Sequence, residues 1–435
     1  MTRLLLITLF VCSGISQHLF NQEPDVRVRI INTLDTLNIS LRGEWSFRNT
    51  SSARMTLPVD SQVQLVRGDG QISVFDTGGA LLAKTPSFMF GSSSDSSTIE
   101  IKSVPYGVGW WWAGVEDRIY EGAFHVYLGT NQEMNVVVQL PLETYLKGVV
   151  PYEIGGTSPL EALKAQAVAA RSEAVIALTS KLYSGEFFDL TSDVECQVFS
   201  GNKKRTEFSD QAVDETAGLI ISEGGLPMNA YYASNCGGRA ELIQNVWPGR
   251  NQLASYQVSL PDNEDRTGPK LKWRWKARRW INASPDVYCN PDANAFLPSW
   301  SKKNFRWSRE FSVQELTDML TDDKELGEFR KIRVLKRGPS GRIYKAQIVF
   351  KRGRLTIDGE LALRQRFNPS LRSSAFYVKR SGDKFVFHGA GWGHGVGMCQ
   401  SGAVAQATRG RSFDQILKHY YSKAQLLNIY DASTP

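Results

Sequence analysis

Apolar and polar positions alternate with a period of two over much of the first 120 residues. "VRVRII", "DSQVQLVRGDGQISVFDTGG" and "STIEIKSV" show this alternation, broken by Asp-Gly and Gly-Gly pairs. Such runs predict short antiparallel strands, and the pairs between them predict tight hairpin turns. "FHVYLGT" and "NVVVQLPLETYL" carry the strand pattern towards residue 146. "GSSSDSS" at 91–97 reads as a mobile polar loop.

The period then changes. "GTSPLEALKAQAVAARSEAVIALTSKL" predicts the strongest helix of the chain, with Ser158 as N-cap, Pro159 at the first helical position and Glu161 closing a capping box. Its many alanines suit tight packing beneath a functional surface. "DQAVDETAG" predicts a short helix ending at Gly218, and "LIISEGGLPMNAYYAS" a hairpin around Gly224 and Gly225. Residues 250–305 are irregular, basic and rich in Trp, and read as an insertion. "SVQELTDMLTD" predicts a helix capped by Ser312. The stretch 331–359 predicts strands turning at 339–341 and 352–354. Two helices close the chain, one over about 398–407 and one at "SFDQILKHYY". No internal repeat is visible. The pattern predicts an α+β fold, a mixed β-rich core with a few helices, preceded by an all-β N-terminal region.

One segment fits neither period well. In "HGAGWGHGVGMCQSGA" a glycine holds every second place from 389 to 397. In an extended chain this leaves one face as bare backbone, with Ala390, Trp392, His394, Val396 and Met398 opposite. Glycine in a strand usually marks the close approach of something else. A bend near Gly393 or Gly395 is expected to bring His394 round. His394 is either a ligand contact or proton-transfer group on this ledge, or a buried histidine at a glycine-rich turn. A phosphate cradle lacks the strand and acidic context that would support it.

Composition narrows the partners. The 435 residues are 42% hydrophobic and 22% charged, enough for two or three globular domains. The net charge of +7 and pI near 9.0 favour an anionic partner. Residues 1–16 read as a secretory signal: Arg3, an apolar run over 4–11, then small residues. The run is far below the ~20 residues that span a bilayer. The chain is therefore expected to be exported, to the periplasm or cell envelope. A membrane link would come only through an uncleaved or Cys12-lipidated N-terminus. Export argues against nucleic acid as partner. It also allows disulfides among Cys196, Cys236, Cys289 and Cys399, with pairing left open.

Glu153 is the leading candidate for chemistry. It precedes the strong helix in "GVVPYEIGG", a loop tightened by Pro151, Gly155 and Gly156. Lys164 and Arg171 lie seven apart and share a helix face, with Gln166 well round from them. Burial would raise the carboxyl pKa and nearby cations would lower it. In "KLKWRWKARRW" the alternation sets Leu271, Trp273, Trp275 and Ala277 against Lys272, Arg274, Lys276 and Arg278. This is either a surface that stacks on sugars or bases and binds acids, or an amphipathic edge strand with a solvated basic face. No HExxH or CxxC zinc spacing occurs.

"PYEIGGTSPLEALKAQAVAARSEA" and "HGAGWGHGVGMCQSGAVAQATRGRSFDQILKHYYSKAQL" together resemble the SpoIID/LytB family of sporulation proteins and amidase enhancers. "ECQVFSG", "AVDETAG", "NCGGRAE" and "RGPSGRI" fit between them. The resemblance covers about 120–435 and implies three regions: a signal at 1–16, a β-rich region at 17–120 and a catalytic domain at 121–435 carrying the 250–305 insertion. It implies a substrate groove between two parts, and lytic transglycosylase action on peptidoglycan glycan strands, preferably peptide-stripped. Glu153 then stands at the catalytic position, with Lys164, Gln166, Arg171, His394, Gly393, Gly395 and Gln400 as substrate contacts. One glutamate would protonate the glycosidic oxygen, then deprotonate the sugar's 6-hydroxyl to leave a 1,6-anhydro end. The glycine ledge would then carry the glycan. The family's other branch implies an alternative, a non-catalytic module that binds peptidoglycan and activates a cell-wall amidase. No cofactor is required. Some members bind zinc through cysteine and histidine in the middle section, but Ala233 replaces that histidine. Cys196, Cys236 and Cys289 remain a candidate cluster, as a disulfide or around a metal.

Overall fold

The computed structural model describes residues 19–430, apart from 33–34, 50–53, 93, 95, 109, 111 and 251–253. The signal at 1–16 and Cys12 lie outside the described residues. Among those described, no helix is long and apolar enough to cross a membrane.

The period-two runs form two sheets. One orders the strands Leu190–Thr191, Asp25–Ile31, Met134–Pro141, Ala123–Leu128, Ser87–Ser92, Trp45–Asn49 and Arg54–Thr56. The other orders Gly114–Tyr120, Thr98–Tyr106, Thr36–Arg42, Gln62–Gly68, Gln71–Asp76 and Leu81–Thr85. All pairs are antiparallel except Asp25–Ile31 with Leu190–Thr191. The expected turn at Asp69–Gly70 forms, with φ of 51° and 68°, as a tight hairpin requires. Strand pairing crosses the boundary expected at 120: Ala123–Leu128 pairs with Ser87–Ser92 and Met134–Pro141 with Asp25–Ile31.

Helix α1 (Leu142–Ile154) leaves the first sheet directly, and α2 (Leu160–Ser180) follows after a short turn. Both join the sheets in one core: Val26, Val28, Val136 and Val138 meet Leu146, Val149, Leu163 and Val168, all buried. The alanines of α2 let α1, α3 (Glu207–Asp214) and the helix Gln400–Thr408 approach it on different sides. Small side chains make that crowding feasible.

A second core lies between the strands Arg306–Ser312, Phe376–Ser381 and Lys384–Ala390 and the strands Phe329–Arg337, Ile343–Phe350 and Arg354–Asp358. Phe311, Leu316, Ile348 and Phe387 fill it. Here the caps follow the sequence. Ser312 and Glu315 form the expected capping box on Val313–Leu320. The hairpin at Gly224 and Gly225 also forms, both with positive φ.

Two local expectations are corrected. Ser158 does not cap α2: its hydroxyl donates 2.6 Å to the Ile154 carbonyl at the end of α1, and Glu161 accepts from the Phe413 N–H and Lys164. The capping box is lost because both partners meet stronger claims from neighbouring elements. "KLKWRWKARRW" is not an edge strand but holds the helix Arg274–Ile281. Ala277 and Ile281, four apart, are buried, while Trp273 and Trp275 are 67% and 62% exposed. A period of 3.6 fits the two buried anchors better than the alternation fits any sheet edge.

Candidate active site and cysteine cluster

Glu153 sits in the last turn of α1, not in a loop before α2. Pro151 is accommodated inside α1, and Gly155 ends it at φ 84°, a conformation that favours glycine. A side chain at 155 would also meet the indole of Trp300, whose Nε1 lies 3.1 Å from the Cβ position. The insertion therefore reaches the edge of the site.

The Glu153 carboxylate is half-buried and faces neutral partners. Its Oε1 accepts the Val198 N–H at 3.2 Å and its Oε2 accepts Gln400 Nε2 at 3.4 Å. The Tyr232 hydroxyl also bears on it, while donating 2.8 Å to Gln197 Oε1. Burial raises the carboxyl pKa, and the hydrogen bonds from Val198 and Gln400, with the nearby Tyr232 hydroxyl, offset only part of that. The negative end of the α1 dipole acts in the raising direction too. The result is a carboxyl biased towards its protonated form, yet equipped with donors that can hold the anion.

The other residues expected at this site divide. Gln400, at the first position of its helix, touches both Glu153 and Gln166, with 3.2 Å from its Nε2 to Gln166 Oε1. Lys164 and Arg171 do share a face of α2, but it is turned away from the carboxylate. Lys164 pairs with Glu161 at 2.8 Å and Glu215 at 2.6 Å. Arg171 is wholly buried against Glu143, with Nε and Nη2 donating at 2.9 and 2.6 Å, and it also donates to the Leu219 carbonyl. A buried guanidinium in a forked pair cannot contact a glycan, so Arg171 belongs to the framework. Among the described residues, no cation bears on Glu153 to oppose the effect of its burial.

The glycine segment corrects the ledge expectation. Strand geometry ends at Ala390, and Gly391, Gly393, Gly395 and Gly397 all take positive φ, between 71° and 92°. The face without side chains is covered by the protein itself. A Cβ would meet Trp307 at 389, the Asn235 carbonyl at 391, Ala233 at 393, the Arg342 guanidinium at 395 and the Tyr231 carbonyl at 397. Trp392 and Asn235 exchange backbone hydrogen bonds of 2.8 and 3.1 Å, and Arg342 donates twice to the Gly393 carbonyl. On the face without side chains, the glycines admit the 231–237 loop and Arg342.

His394 is held within this packing. Its Nδ1 accepts the Val396 N–H at 3.0 Å, so Nε2 carries the proton and donates 2.9 Å to the Tyr232 carbonyl. Burial, then Arg342 and Arg364, push its pKa down to about 3, which keeps the imidazole neutral. Trp247 packs beside it at 4.8 Å between ring centroids. His394 reaches the carboxylate site through Tyr232, whose backbone it fixes.

Cys236 and Cys289 meet, with sulfurs 3.6 Å apart. The expected third member does not join them: Cys196 contacts the Tyr183 hydroxyl at 3.6 Å. Its place is taken by Cys399 and Asp262, and one ligand atom from each of the four lies within 4.8 Å of every other. All four are buried. Sequence reasoning missed Tyr232 and Val198 at the carboxylate, Trp300 beside Gly155 and Asp262 in the cluster. Gln197 and Val198 lie in the "ECQVFSG" stretch; Tyr232, Trp300 and Asp262 carry no local signal.

Known proteins resemble the chain over these regions. Residues 130–222, which include α1 and α2, match the Stage II sporulation protein family. Residues 293–397, which hold the second core, match a domain of unknown function. The chain is 28% identical over 304 residues to an uncharacterized protein of Brachyspira hyodysenteriae, covering 70% of this chain and 71% of that one. It is 28% identical over 316 residues to the Stage II sporulation protein D of Bacillus subtilis, covering 69% and 78%. With the amidase enhancer of Bacillus subtilis the identity is 27% over 299 residues, covering 63% of this chain but 39% of that longer protein.

Proposed function

We propose that this chain, which belongs to the SpoIID/LytB family, is an exported lytic transglycosylase that cleaves peptidoglycan glycan strands. The observation carrying the reading is the Glu153 carboxyl: half-buried, raised in pKa by burial, and bonded to neutral donors only. A general acid must be protonated near neutral pH, and burial without a facing cation favours that. Glu153 protonates the glycosidic oxygen as the bond to the anomeric carbon breaks. The resulting carboxylate, held by the Val198 N–H and Gln400, then takes the proton of the 6-hydroxyl as that oxygen closes on the anomeric carbon. The products are a strand with a free hydroxyl end and a 1,6-anhydro end. Glu153 thereby serves as acid and base in turn, without the second carboxylate that hydrolytic glycosidases generally use.

The second reading is a peptidoglycan-binding module that activates a cell-wall amidase, favoured by the likeness to an amidase enhancer. One assay separates the two. Purified protein is incubated with peptide-free glycan strands and the products are separated by mass. Anhydro ends formed by wild type and absent with Glu153→Gln support the transglycosylase. Intact strands with wild type, together with faster amidase turnover, would establish the enhancer instead.

A further inference from the structure

The structure assigns a structural zinc-class metal site to Cys236, Asp262, Cys289 and Cys399. Three thiol sulfurs and a carboxylate oxygen converge at one buried point, each within 4.8 Å of the others. A tetrahedral zinc with bonds to sulfur of about 2.3 Å has sulfur–sulfur edges of roughly 3.8 Å. Cys236 and Cys289 stand 3.6 Å apart, near that edge; a disulfide needs about 2.05 Å.

The surroundings orient each ligand. Cys399 Sγ accepts the Cys236 N–H at 3.2 Å, and Cys236 Sγ accepts the Gly238 N–H at 3.3 Å. Asp262 accepts the Cys289 N–H at 3.1 Å and the Tyr420 hydroxyl at 2.8 Å. Amide donors aimed at sulfur stabilise thiolate, which is the ligating form. Cys399 also stands at the N-cap of the helix Gln400–Thr408, where a negative charge is favoured. Four groups able to become anions, packed together away from water, call for a cation of at least two charges. Four protein ligands close a tetrahedral shell and leave no open position, so the ion braces the structure and does no chemistry. Binding displaces the thiol protons to solvent.

The ligands come from separate segments: the 235–238 loop, two places in the 250–305 insertion, and the start of the helix carrying Gln400. A metal here ties the insertion to the residue beside Gln400, and through Gln400 to Glu153. This assignment does not depend on the proposed reaction.

The full chain is expressed with zinc in the medium, purified under reducing conditions and dialysed against metal-free buffer. Elemental analysis should find about one zinc per chain, released when the thiols are modified. Cys289→Ser and Cys399→Ser should lower metal affinity by about tenfold or more, while Cys196→Ser should retain the ion. Should the variants fail to fold, cobalt exchanged into the wild type decides the question: intense visible bands of a tetrahedral, thiolate-bound ion support the site. Wild type that holds no zinc and shows no such cobalt spectrum overturns it. So does a Cys236–Cys289 disulfide found by peptide mapping of the protein isolated without reductant and unable to bind zinc after reduction.

Discussion

Helix α1 carries two glutamates with opposite roles, one at each end. Glu143, in the first turn, accepts two forked bonds from Arg171, plus the Gly218 N–H and the Tyr430 hydroxyl. Glu153, in the last turn, accepts only from neutral groups among the described residues. Both leave water on folding. Only one is matched by a cation, and only that one sits at the helix end that favours negative charge. Burial with a partner makes a framework joint of Glu143. Burial without one biases Glu153 towards its protonated form, as the proposed general acid requires. The residue type is the same, and the neighbours decide.

The largest effect should come from removing the proposed proton carrier. Glu153→Gln is expected to cost at least 10²–10⁴-fold in the rate of anhydro-end formation, the range general acid–base catalysis contributes. The glutamine oxygen can still accept from Val198, so the fold should persist. Denaturant titration offers a second check, with a defined sign. A carboxyl whose folded pKa is raised above the ordinary 4.5 begins to oppose folding as pH climbs past 4.5, does so fully above the raised value, and has no effect well below 4.5. The variant should therefore be more stable than wild type at neutral pH, and the gain should vanish on acidification. A gain that persists unchanged in acid would place the cause elsewhere.

Breaking the other glutamate's pair should cost stability instead. Arg171→Leu leaves Glu143 without its cation and should destabilise the protein by about 3–5 kcal/mol, read from the urea midpoint. Adding Glu143→Gln should recover part of the loss. Full wild-type stability in the single variant would contradict the framework role.

Gln400→Ala tunes the comparison. It removes one donor to the Glu153 anion, worth about 0.5–1.5 kcal/mol, so kcat should fall by up to about tenfold. The same donor lowers the Glu153 pKa, so its loss should move the alkaline limb of the kcat profile to higher pH. A fall in kcat with an unmoved limb would assign Gln400 to packing alone. The smallest effect is expected at Lys164. Lys164→Ala breaks two pairs that are partly open to water and should change stability by about 0–1 kcal/mol, with KM for glycan strands unaltered. A large rise in KM would restore it to the substrate surface.

Several of these elements are legible in the order of residues alone. Alternation in "DSQVQLVRGDGQISVFDTGG" locates a hairpin, Ser312 and Glu315 locate a capped helix, and the motif around Glu153 singles out the carboxyl. The expectations that fail share one cause. Ser158 and Glu161 have the spacing of a capping box, but neighbouring groups claim them. Lys164 and Arg171 share a face of α2, but which element that face meets is not written in helical periodicity.

Where the chain must be bare or bend is recorded in its residue types. Glycine at 391, 393, 395 and 397 answers to backbone torsions and to contact, both local demands that a single position can meet. What fills the bare side depends on folding: the 231–237 loop and Arg342 do so, both distant in sequence. Likewise, three cysteines announce a cluster, but Cys399 in place of Cys196, and Asp262 as the fourth member, emerge only when separate segments pack together. Electrostatics is the clearest case. The pKa of Glu153 depends on water excluded and charges facing it, and these are set by packing among segments more than two hundred positions apart.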